Sequence, residues 1–179
     1  EITFEALQPF GDTYLSLLRH GLDQDWMHSH PQEGKRSGAY VSGWAYDVHP
    51  YVLLNHNDDY ESLTTFAHEW GHAVHTMLAV KNNHWETFGY STFLAEMAST
   101  INEILLQEYM IENAETKEQK LFYLGGALES IRGTVFRQTM FAEFERAIHQ
   151  VSERGEPLTG NKLNEMYLAL LRKYHGENE

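Results

Sequence analysis

The chain of 179 residues contains no cysteine, which removes disulfide frameworks and thiolate metal ligands together. Any metal it binds must be held by histidine and carboxylate. Basic residues are scarce: 13 Lys and Arg against 26 Asp and Glu give a formal charge of −13. That balance argues against nucleic acid or an anionic membrane as a partner and favours neutral or basic ligands. No apolar run approaches the roughly 18 residues that span a bilayer. The N-terminal Glu1-Ile2-Thr3-Phe4 lacks the basic-then-apolar pattern of a secretory signal. The expected setting is the cytoplasm, without membrane attachment. A starting methionine is also absent, and the chain stops just after a helical pattern at Lys173-Tyr174-His175-Gly176. Both features point to a piece of a longer protein.

What is present suffices for a folded domain: 42% apolar residues and 13% aromatics can fill a sizeable core. Apolar residues at helical spacing predict a helix over about 10–22, followed by a polar, irregular stretch to about Arg36. SGAYVSGWAY from Ser37 and Tyr51-Val52-Leu53-Leu54 predict two short strands, the only β region expected. Asp58 with Glu61 has the spacing of a capping box and predicts a helix over about 59–80. A second long helix is predicted over about 90–112, with Leu94, Met97, Ile101, Ile104 and Leu105 as its buried stripe. Thr116 with Gln119 opens another to about Val151, with a kink or close contact at Gly125-Gly126, and a final helix follows Thr159. The fold class is mainly α: a bundle of long helices with a small β-hairpin or sheet.

In the middle of the 59–80 helix stands His68-Glu69-Trp70-Gly71-His72. Histidines four apart project from one helix face, so both imidazoles can reach one ion. Glu69 lies about 100° round the helix, which suits a base beside the metal rather than a ligand. With 11 His and 20 Glu, an HExxH pattern arises by chance in roughly 7% of such chains, so context must carry the argument. The context is Glu96, 24 residues beyond His72 on the second helix, where an antiparallel return would bring a third ligand to the ion. Gly71 is out of place in a helix interior and implies a close approach, by a packing helix or by the wall of a site. His75 lies on the same face and rivals Glu96. One further turn of a straight helix carries its ring away from the ion, which favours a packing or outer-shell role. Glu103, seven residues beyond Glu96, is either a partner for the unliganded nitrogen of a zinc-bound histidine or a solvated carboxylate.

GKRSGAY at Gly34 to Tyr40, AYDVHPYVLLN, HEWGH and FLAEMASTINE together resemble the oligoendopeptidase F branch of the thimet-oligopeptidase-like zinc peptidases, over nearly the whole chain. The resemblance implies a mostly helical fold with a deep channel that admits short peptides. It also implies one Zn2+ per chain held by His68, His72 and Glu96, with Glu69 as base, hydrolysing internal bonds of oligopeptides. The β element would lie next to the zinc site. In that family a histidine and tyrosines that stabilise the oxyanion lie beyond the segment ending here, and a helical N-terminal half precedes it. Residues 1–179 therefore correspond to a partial catalytic domain, expected to bind zinc and to turn over weakly or not at all. Tyr40 and Tyr90 can be read as substrate contacts or as packing. Two alternatives stand beside this reading: a zinc-binding helical module without catalysis, and a zinc carboxypeptidase, since such enzymes share HExGH.

Overall fold

The helix that carries the histidines is capped by Asp59 and not by Asp58 as expected. The Asp59 carboxylate accepts from the Ser62 N–H at 2.8 Å and caps α3, Tyr60–Asn82. An N-cap needs extended backbone to aim its oxygen at the N–H three residues on. Asp59 has that backbone, whereas Asp58 takes a positive φ of 58° and turns the chain into the helix.

The computed structural model describes residues 1–176, which divide into two compact units between Lys120 and Leu121. In the first unit α1 (Ile2–Ala6) and α2 (Asp12–Asp23) lead into three short strands, β1 (Met27–His28), β2 (Tyr40–Ser42) and β3 (Tyr51–Leu53). Helix α3 and then α4 (Thr92–Glu112, capped by Ser91) follow. The strand order is β1-β3-β2, with β1 parallel and β2 antiparallel to β3, and Val52 opposite both Met27 and Val41. Strand β1 falls in the stretch read as irregular. Two residues offer no alternation to detect, and the pairing is made by a distant partner. Lys35 fastens the end of this pair: its ammonium donates to the His28 carbonyl at 3.1 Å, to His30 at 2.7 Å and to Leu54.

Leu7, Leu18, Val52, Leu54, Trp70, Ala73 and Val74 form the core between α2, the sheet and α3. The Trp70 indole is fully buried and donates to Met27 Sδ at 3.3 Å. A Cβ on Gly21 would lie 2.6 Å from its ring, so α2 packs this closely because residue 21 is glycine.

Helix α4 turns a different face inward from the one its apolar pattern predicts. Its buried residues are Ser99, Asn102 and Leu106, while Leu94, Met97, Ile101 and Ile104 are 46 to 55% exposed. Of the expected stripe, Leu105 packs against the core. Around Gly71 the inner face carries Ser99 and Asn102, because α4 lies close on α3 there, and one turn on Leu106 packs with Ala6 and Ala67. Asn102 satisfies itself there: its amide donates to the Ala98 carbonyl at 2.7 Å and its oxygen accepts from Tyr14 at 2.8 Å.

Helix α5 (Lys117–Ile131) opens on the expected capping box, with the Gln119 N–H donating to Thr116 Oγ1 at 3.1 Å and the Gln119 side chain returning to the Thr116 N–H at 3.2 Å. In the second unit the irregularity expected at Gly125-Gly126 falls instead at Arg132–Arg137, a π-helical stretch leading into α6 (Gln138–Glu153). Gly133, Thr134 and Val135, all weak helix formers, occupy that widened turn. Helix α7 (Gly160–His175) follows Thr159 as expected, is capped by it, and packs Tyr167 against Phe141 and Phe144 of α6. Among the described residues no helix is long and apolar enough to cross a membrane.

Candidate metal centre

One turn of α3 separates His68 from His72 and brings their Nε2 atoms to 3.1 Å. Glu96 arrives from α4 with Oε2 at 3.5 Å from His68 Nε2 and 3.8 Å from His72 Nε2. The circle through three atoms with these separations has a radius of about 2.0 Å, which matches Zn–N and Zn–O bonds of about 2.0 to 2.2 Å. The donor set, two imidazoles and a carboxylate, is one that zinc accepts in sites that keep a position open. Among the described residues these three are the group able to share an ion. His75, the rival, is outside it. Its ring lies against Tyr90 at a centroid distance of 4.1 Å, its Nδ1 is buried without a partner, and burial pulls its pKa down.

The open question over Glu103 resolves towards the histidine: Oε1 lies 2.5 Å from His68 Nδ1. That bond places the ring proton on Nδ1 and leaves the Nε2 lone pair facing Glu96 and His72. Burial lowers the His68 pKa, but the Glu103 hydrogen bond and the surrounding carboxylates outweigh it and the net shift is upward. Burial, and then the charge on His68, lower that of His72, which favours its neutral, ligating form. Glu69 is buried and pushed up to about 7, first by burial and then by Glu96 and Glu103, with His68 opposing. A base poised near neutrality suits proton transfer from water. His68, Glu69, His72 and Glu96 line one cleft of about 400 Å3, together with Tyr40, Trp44, Thr76 and Tyr90.

One feature of the site was not foreseen. Ser99 Oγ lies 3.2 Å from Glu96 Oε2 and 3.1 Å from the Glu96 carbonyl, so it steadies the Glu96 carboxylate. The signal was its position three residues on, one turn along the same face. Gly71 also finds its reason. A Cβ there would lie 2.7 Å from Asn102 Nδ2, 2.8 Å from Ser99 Cα and 2.9 Å from the Ala98 carbonyl. The close approach is by a packing helix, and that helix carries Glu96, Ser99 and Glu103.

The sequence model of peptidase family M3 matches residues 1–179. The chain belongs to that family. Oligopeptidase PepF of Bacillus subtilis (strain 168) is 46% identical over 173 residues, covering 97% of this chain and 26% of PepF. An oligoendopeptidase F homolog of Borreliella burgdorferi is 41% identical over 179 residues, covering 98% and 30%. A crystal structure from Chlamydophila abortus superposes with a TM-score of 0.78 at 40% identity, over 98% of this chain and 29% of the other. PZ peptidase A shares the fold, with a TM-score of 0.74 at 18% identity, over 97% and 30%. This family M3 chain thus spans under a third of the length of these relatives.

Proposed function

We propose that this family M3 chain forms the zinc-bearing part of a metalloendopeptidase that cuts internal bonds of oligopeptides. The observation that carries the reading is the convergence of His68 Nε2, His72 Nε2 and Glu96 Oε2 on one point, with the buried Glu69 in the same cleft. A zinc ion held by these three residues would polarise the scissile carbonyl and acidify water to a pKa of about 7. The chain's own residues do the rest. Glu103 holds the His68 tautomer, Ser99 holds the Glu96 carboxylate, and Glu69 takes the proton from the attacking water. As the C–N bond breaks, Glu69 delivers that proton to the leaving amine, so one water and one peptide bond become a carboxyl and an amine. Strand β2 lines the cleft and pairs on one side with β3. Its other edge can hold an extended peptide by main-chain pairing, which is tolerant of sequence.

The test is a peptide ladder incubated with the zinc-loaded full-length protein, alongside Glu69→Gln. Internal cuts that vanish in Glu69→Gln while zinc stoichiometry is retained support the reading. Stepwise loss from the C-terminus would make the protein a carboxypeptidase. Zinc binding without cleavage would leave a non-catalytic module.

A further inference from the structure

Counting donors assigns a direction to the hydroxyl pair of Thr76 and Tyr90, which lies in the same cleft as the metal-binding residues. Thr76 Oγ1 has one hydrogen and gives it to the His72 carbonyl at 2.9 Å. The 2.6 Å contact between Thr76 Oγ1 and the Tyr90 hydroxyl must then be Tyr90 donating and Thr76 accepting. Tyr90 also has one hydrogen, so its hydroxyl has nothing further to donate. What remains on that oxygen is acceptor capacity. The ring lies against His75 at 4.1 Å and beside Trp44 at 6.0 Å, the latter stacked at 29°.

An acceptor in this position is unsuited to stabilising an oxyanion, which needs a donor. Its complement in a peptide is an N–H. On the peptidase reading above, we infer that Tyr90 accepts a hydrogen bond from one main-chain N–H of the bound peptide, so that the residue supplying it cannot be proline. Tyr90 is thus a specificity residue that recognises backbone, and Trp44, 70% exposed beside it, offers an aromatic face to the same substrate residue.

The experiment is an N-methyl scan. A cleavable peptide is methylated at one backbone nitrogen at a time, binding to the zinc-loaded full-length protein is measured by calorimetry, and cleavage is followed in parallel. One position should lose about 3- to 10-fold in affinity when methylated or replaced by proline. Tyr90→Phe keeps the ring and removes only the hydroxyl. It should abolish the loss at that position and leave the others unchanged, with one zinc per chain verifying that the variant is folded. A penalty that persists in Tyr90→Phe is steric and overturns the proposal. Binding with the Tyr90-dependent penalty but no cleavage keeps Tyr90's role and overturns the hydrolytic reading. Cleavage without any penalty overturns the role of Tyr90 alone, and a peptide neither bound nor cut overturns both.

Discussion

Replacing Gly71 by alanine probes the contact that joins the two halves of the metal centre. The added methyl would lie 2.7 to 2.9 Å from Asn102 Nδ2, Ser99 Cα and the Ala98 carbonyl. Comfortable carbon contacts begin near 3.5 Å, so α3 and α4 must separate by roughly 0.6 to 0.8 Å at this point. Two of the three atoms are backbone, so no rotamer change relieves the clash and α4 must shift as a body. Overpacking of this kind costs about 1 to 3 kcal/mol. Removing glycine from a helix interior returns about 0.5 to 1 kcal/mol. The net expectation is a loss of up to about 2.5 kcal/mol in the metal-free protein, read from denaturant midpoints at unchanged slope. Because α4 carries Glu96 and Glu103, the same shift lengthens their contacts with His68, and zinc affinity should fall about 10- to 100-fold, as when outer-shell partners are lost. Competition with a chromophoric chelator measures it. If Gly71→Ala is more stable than the parent and binds zinc equally well, the close approach of α4 does not set the ligand geometry and the reasoning fails.

Glu96→Ala should reduce zinc from one per chain to substoichiometric under chelator competition; unchanged tight binding would remove Glu96 from the ligand set. Glu103→Gln can still accept from His68 Nδ1 but no longer carries charge, and zinc affinity should drop about 10-fold with stoichiometry retained. Equal affinity would mean that the 2.5 Å contact does not orient the ligand. Tyr14 is pushed up to about 12, chiefly by burial, with the Asn102 hydrogen bond opposing. Its unfolded value lies near 10, so the stability it contributes is complete below pH 10 and is lost as pH rises from 10 to 12, about 2 to 3 kcal/mol in all. Tyr14→Phe should flatten that alkaline decline in unfolding titrations, and an unchanged slope would refute the assignment.

Element types were legible where the signal is local. The Thr116 cap lies where its side-chain spacing indicates, because a cap is made within four residues. Asp58 and Asp59 are both chemically able to cap α3, and only the backbone path distinguishes them. The inner face of α4 was misread because hydrophobic periodicity marks the apolar face, and the face that packs on Gly71 must be small instead. Strand β1 was invisible because two residues carry no period and its partner is non-local.

The groups one turn apart are legible from the residues alone: the two imidazoles on one face of α3, and Glu69 offset from them. Helical periodicity dictates those relations wherever the helix happens to lie. The packing of separate elements brings Glu96 into the triangle and leaves His75 out of it, sets Glu103 against His68, and pairs the Tyr90 hydroxyl with Thr76. Those relations depend on the distance and rotation between elements, which are set by how closely backbones can pack, and at this centre that distance is governed by the missing side chain of Gly71.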